Sequence, residues 1–181
     1  MKKRRTRIKP RFWLILSTVI IIVSCLICNL TMAEETTQIS EVVAEVEAPA
    51  VEEDYILDIP LSAELQTELY EASKEFGVDY YVMVALIDRE TNFRNVMGDG
   101  GDSYGYCQIQ PKWWYSLMTE IGATDLNTPK DNFRTACAIM ARLTERYGSI
   151  EGALVAYNQG YYKCSTPYSR EIIANANRYK A

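Results

Sequence analysis

The 181-residue chain contains no histidine. That absence excludes a Ser-His-Asp triad, a histidine-activated cysteine and zinc bound by imidazole. Positive charge is also scarce relative to negative over most of the sequence. Seven of the 19 lysines and arginines crowd into the first eleven positions, and the other 12 face 24 acids, all of which lie beyond residue 33. The chain past that point therefore carries about −12, which argues against nucleic acid as a partner. Strand-like alternation is scarce and no internal repeat is evident, so the pattern is that of helices separated by short turns. The oxygen-ligand spacing of the common helix–loop–helix calcium site is absent, and nothing implies a metal or another cofactor. What remains is carboxylate acid–base chemistry, or cysteine chemistry without a histidine to activate it.

The seven basic residues are followed by a mostly apolar run over residues 12–33, near the length that spans a bilayer. A basic block before such a run reads as a membrane anchor or a secretion signal, with the remainder of the chain outside the cytoplasm. The run's length favours a retained anchor. Thr31-Met32-Ala33 offers the small residues a signal peptidase reads, and Ile22-Val23-Ser24-Cys25 resembles a lipoprotein processing box. Residues 34–58 turn acidic, low in aromatics and without lysine or arginine, the composition of a flexible, disordered linker. Residues 59–181 then form one folded unit of about 120 residues, enough for a single core.

Within that unit the helical signals are local and physical. Leu61, Leu65, Leu69, Ala72 and Phe76 recur at helical spacing between a Ser62 cap and Gly77. Asp79 is placed to cap a second helix running to Glu90, and a third follows Pro111 over residues 112–120. Thr128-Pro129 opens a long helix with Phe133, Ala136, Cys137, Met140 and Leu143 on one face and Gly148 as its stop. Ser149 starts a short apolar helix ending at Tyr157, and Thr166-Pro167 starts the last. Cys107 reads as core. Cys137 and Cys164 are candidates for a disulfide in an oxidising compartment, in which case Cys107 is left unpaired.

Three segments carry the chemistry. Glu90-Thr91-Asn92-Phe93 ends the second helix, Gly105-Tyr106-Cys107-Gln108-Ile109-Gln110-Pro111 closes a glycine-rich loop, and Ala156-Tyr157-Asn158-Gln159-Gly160 lies near the end. A carboxyl at the end of a buried helix, facing a tightly bent loop, is how a partly desolvated general acid is built. Taken together and in this order, the three segments resemble the signature of the lytic transglycosylases, which share the goose-type lysozyme fold; the likeness covers residues 61–179. It implies a compact, mostly α, lysozyme-like domain acting on the glycan strands of peptidoglycan, with Glu90 as the single acid and base. In that family the N-acetyl group assists and the muramyl 6-hydroxyl attacks in place of water, so the β-1,4 bond between N-acetylmuramic acid and N-acetylglucosamine is cut with a 1,6-anhydro end.

The resemblance also distributes further roles. Thr91 keeps the hydroxyl of the family's serine, and Tyr106 replaces a leucine, which alters the floor of the cleft. Gln108 matches the family glutamine, either as a donor to an N-acetyl or peptide group or as a brace for the loop. Gln110 stands where many relatives have methionine. Tyr157 and Asn158 match the Ala-Tyr-Asn segment, and Tyr168 resembles a cleft tyrosine of the last helix. Two other readings stay open. Asp99 or Asp102, in the loop, could orient a water opposite Glu90, giving a hydrolytic lysozyme; both also suit a tight turn. The domain could instead be a non-catalytic peptidoglycan-binding module, or a wall-remodelling subunit of a secretion or conjugation machine.

Overall fold

A computed structural model describes residues 55–181, and the expected membrane segment and most of the linker lie outside the described residues. Six helices follow in order: α1 (Ala63–Phe76), α2 (Tyr80–Thr91), α3 (Pro111–Ile121), α4 (Pro129–Tyr147), α5 (Ile150–Gln159) and α6 (Pro167–Tyr179). Between α2 and α3 sits a small hairpin of β1 (Met97–Gly98) and β2 (Ser103–Tyr104), joined by a short 3-10 turn, Asp99–Gly101. The strands are antiparallel, with Met97 opposite Tyr104 and Gly98 opposite Ser103. The sequence pattern did not suggest this hairpin, because a two-residue strand has no room to alternate. Among the described residues no helix is long and apolar enough to cross a membrane.

The helix ends follow from capping. The side chains of Ser62, Asp79, Thr128, Ser149 and Thr166 each accept a hydrogen bond from a first-turn amide of the helix that follows. Proline stands at the start of α3, α4 and α6, where a missing N–H costs nothing. These caps put every helix within a few residues of where the sequence places it. The fifth runs on past Tyr157 to Gln159 before Gly160 ends it.

Helix α2 forms the axis of the domain. Its residues from Val82 to Ile87 are all buried, so the helix has no solvent face over that stretch and must be surrounded by other elements. Helices α1 and α6 pack on it, and the long α4 lies against α1, α3 and α5. The buried face of α4 carries Phe133, Ala136, Cys137, Ile139, Met140 and Leu143. Tyr55 also belongs to this body. Its ring stacks on Tyr70 at 3.9 Å, and the buried Gln66 accepts from the Leu57 amide at 2.8 Å and donates to the Leu57 and Leu61 carbonyls. The packed domain thus begins a few residues ahead of residue 59, because three tyrosines (Tyr55, Tyr70 and Tyr80) and one glutamine side chain hold that segment down.

The proposed disulfide is a correction. Cys137 is fully buried on α4, with its sulfur 3.8 Å from Ser73 Oγ, while Cys164 is exposed in the loop before α6; both are free thiols. Burial pushes the Cys137 thiol up to about 12, which keeps it protonated and inert. Cys107 is free and buried, as expected of a core residue.

Candidate active site

Glu90 sits in the last turn of α2, half-buried. Burial raises its pKa above the usual carboxylate value, against the opposing pull of a hydrogen bond from Tyr168 and the charge of Arg89; the Asp99 carboxylate adds a smaller upward push. The position acts in the same direction, since unpaired carbonyls at a helix C-terminus disfavour a further negative charge. The Tyr168 hydroxyl donates to Glu90 Oε1 from the first turn of α6. Tyr168 is itself buried, and burial together with the neighbouring Glu90 raises its pKa far above the ordinary phenol value, so it stays a donor. Arg89 lies over the Tyr168 ring, 5.6 Å from its centre, and pairs with Glu171 at 3.2 Å. Farther along, Tyr179 donates to Asp88 at 2.8 Å. Side chains of α6 therefore hold the last turn of α2 at three points.

The chain then leaves α2 through two consecutive left-handed residues, Asn92 (φ 50°) and Phe93 (φ 58°). Phe93 is buried, which offsets the cost of a backbone conformation that L-residues avoid. Thr91 is buried as well, and its hydroxyl contacts the carbonyls of Ile87 at 3.2 Å and Tyr106 at 2.9 Å. It joins the helix end to the returning loop.

That loop is held mostly by polar side chains on backbone groups. Gln108 Nε2 donates to the carbonyls of Val96 and Gly105, both at 2.9 Å. Asn132 reaches in from the start of α4, fully buried. Its Nδ2 donates to Tyr104 O at 2.9 Å and Leu126 O at 3.0 Å, and its Oδ1 accepts from the Cys107 amide at 2.9 Å. Gly105 (φ 74°) is what lets Asn132 approach. A Cβ there would meet Asn132 Nδ2 at 2.2 Å and the Leu126 carbonyl at 2.8 Å. Tyr157 closes the arrangement from α5, donating to Cys107 O at 2.7 Å. Burial, with the Cys107 thiol, Glu90 and Tyr168 as neighbours, holds its phenol protonated.

Several residues expected to touch a substrate are thus occupied elsewhere. Thr91, Gln108 and the Tyr157 hydroxyl bind backbone carbonyls. Tyr106 packs its ring on Phe133 at 5.3 Å, and the charge that faces its phenol is Glu68 of α1. Asn158 is exposed and makes no side-chain hydrogen bond among the described residues. Gln110 donates to Asp99 Oδ2 at 3.0 Å and to Ser103 Oγ at 3.1 Å. What the structure brings together around Glu90 is Tyr168, Tyr157, Arg89 and Asp99. Asn132 and Arg89 were not singled out from the sequence. An asparagine inside the first turn of a helix looks like one more capping-region polar residue, and its loop partner lies 25 residues away.

The two loop acids differ. Asp99, in a left-handed conformation (φ 49°), accepts hydrogen bonds from Ser103 and Gln110 that lower its pKa, and its charge acts on Glu90. Asp102 pairs with Lys112 at 3.0 Å. Glu90 is thus shifted up and Asp99 down, with Asp99 the weakest of the influences on Glu90. Among the described residues no cluster of acids and cysteines could hold a metal ion.

A helical body with one partly desolvated carboxyl at the end of its central helix defines the class: a lysozyme-like fold. The chain belongs to the transglycosylase SLT domain family, whose model matches residues 69–176. Among solved structures it is similar to an inactive glutamate-to-glutamine mutant of the lytic transglycosylase Slt from Pseudomonas aeruginosa, with a TM-score of 0.55 and 16% identity. That match covers 63% of this chain and 23% of the Pseudomonas chain, so the likeness is one of fold over a fraction of the larger enzyme.

Proposed function

We propose that this chain cleaves the β-1,4 bond between N-acetylmuramic acid and N-acetylglucosamine in peptidoglycan, as a lytic transglycosylase with Glu90 as its acid and base. The observation that carries this reading is the state of Glu90: a carboxyl with a raised pKa, one oxygen of which takes a hydrogen bond from Tyr168. With Oε1 held, Oε2 is the oxygen left to carry the proton, and no hydrogen bond is made to it among the described residues. That oxygen gives its proton to the leaving glycosidic oxygen as the sugar becomes oxocarbenium-like, and it then takes back the proton of the attacking 6-hydroxyl. The developing carboxylate is stabilised by the Tyr168 hydrogen bond and the Arg89 charge, the two influences that favour its ionised form. The inactivity of the glutamate-to-glutamine mutant of the Pseudomonas enzyme is in keeping with a single essential glutamate.

A second reading has one observation in its favour. Asp99, ionised and acting on Glu90, is suited to activate water, which yields a hydrolytic lysozyme. Asp102 is less suited, being engaged by Lys112. Under either reading the substrate lies outside the cytoplasm, with residues 1–33 as anchor or signal and the acidic segment as tether. The test is zymography on cell-wall material followed by mass analysis of the released muropeptides. Glu90→Gln is expected to lower clearing at least ~10²-fold, the usual scale for a general acid. Anhydro ends support the transglycosylase and reducing ends the hydrolase. Equal clearing by wild type and Glu90→Gln refutes both.

A further inference from the structure

Trp113 occupies the first turn of α3 and is 72% exposed, an unusual state for the largest apolar side chain. Its orientation is nevertheless held. The indole Nε1 donates to Gln110 Oε1 at 3.2 Å, and the Lys112 ammonium lies 5.6 Å from the ring centre while paired with Asp102 at 3.0 Å. Gln110 in turn donates to Asp99, whose charge reaches Glu90. A hydrogen-bonded chain of side chains therefore runs from the exposed indole through Gln110 to Asp99. The polar edge of the ring is satisfied by the protein, Lys112 lies over the ring, and most of the remaining apolar surface is exposed. Such a surface suits a pyranose, whose C–H face packs on an aromatic ring while its hydroxyls stay wet.

From this geometry we infer that Trp113 is a sugar-stacking platform for an N-acetylhexosamine unit of the glycan strand, beyond the units held at Glu90. The inference rests on the glycan-cleaving reading of the site and adds to it a saccharide subsite. Fixing the indole in the free protein lowers the entropy lost on binding, which is the advantage of tying Nε1 to Gln110. Gln110 then acts as a positioning residue, coupling the platform to Asp99.

The experiment uses the full chain carrying Glu90→Gln, so that ligand is not consumed, and titrates it calorimetrically with N-acetylglucosamine oligomers of two and six units. Adding Trp113→Ala is expected to weaken hexamer binding about tenfold, the scale of one aromatic contact. The dimer's affinity is expected to stay the same, and Trp113→Tyr is expected to recover most of the hexamer's. Equal hexamer affinity with and without Trp113 overturns the subsite and leaves the reading of Glu90 intact. Loss of dimer and hexamer affinity together, unrescued by Trp113→Tyr, also overturns it, because the residue then matters to the fold alone. If the Glu90→Gln parent binds neither oligomer, the glycan reading of the cleft falls and the subsite falls with it.

Discussion

Replacing Asn132 is the sharpest test of how the loop opposite Glu90 is held. The side chain is fully buried and makes three hydrogen bonds of 2.9, 2.9 and 3.0 Å to the backbone of residues 104, 107 and 126. Asn132→Ala leaves the Leu126 carbonyl and the Cys107 amide without that partner, at about 1–3 kcal/mol for each buried group that stays unsatisfied, while the Tyr104 carbonyl keeps the Ile109 amide at 3.0 Å. Water entering the space offsets part of this, so the net loss is about 2–4 kcal/mol, a large fraction of the ~5–15 kcal/mol that holds a domain of this size. The corresponding drop in Tm is on the order of 10–15 °C. The measurement is urea unfolding, with the midpoint falling and the slope unchanged.

Asn132→Asp separates hydrogen bonding from volume. Its carboxylate still accepts from the Cys107 amide but turns an acceptor toward the carbonyls of Tyr104 and Leu126, where the amide nitrogen had donated. The expected order of stability is therefore Asn132, then Ala, with Asp no better than Ala at neutral pH despite its closer shape. A loss below about 1 kcal/mol for Asn132→Ala, or an aspartate as stable as the asparagine, would refute the claim that these bonds hold the loop.

Two pH predictions follow from Glu90. Because the Tyr168 hydrogen bond lowers the Glu90 pKa, Tyr168→Phe is expected to move the basic limb of the pH–rate profile to higher pH while reducing kcat; a limb moving to lower pH contradicts the assignment. For stability, a carboxyl whose pKa is raised in the folded state gives its full contribution below the unfolded value near 4.5, and this is lost as pH climbs through the folded value. Glu90→Gln does not titrate, so its urea midpoint relative to wild type is expected to rise between about pH 4 and pH 7. A gap that is constant across that range would mean that Glu90 is not held protonated.

The helices were legible because their signals are local. Ser62, Asp79, Thr128, Ser149 and Thr166 act within three residues of themselves, and Gly77, Gly122, Gly148 and Gly160 end helices by taking a positive φ. The position of Glu90 at the end of an apolar helix was legible in the same way, while its candidacy as the acid came from the resemblance of the three segments taken together. Less legible was the purpose of the polar residues around it. Thr91, Gln108 and Tyr157 bond to carbonyls 15, 12 and 50 residues away, and no pattern in the sequence records which carbonyl a bent loop will leave unpaired. The Cys137–Cys164 pairing failed for a related reason. Sequence supplies the count of thiols, whereas pairing depends on distance and burial.

The same accounting narrows which residues are free to meet a sugar. If Gln108 or Thr91 swung toward a ligand, it would give up bonds to loop carbonyls, and where these are buried the loss of about 1–3 kcal/mol each would cancel most of what a new hydrogen bond gives. Gln110 has an analogous constraint, with both ends of its amide engaged by side chains of the loop and of α3. Of the residues named for the site, those with uncommitted capacity among the described residues are Glu90 through Oε2, the exposed Asn158 amide and the exposed ring of Trp113. On the proposed reading, contact with substrate is expected at a reactive carboxyl, one adaptable amide and one apolar platform, while the motif residues between them keep a strained loop in a single shape. Substitutions in the second group should lower stability and activity together, and those in the first should lower binding or turnover with little change in the urea midpoint at a given pH, apart from the titration of Glu90 itself.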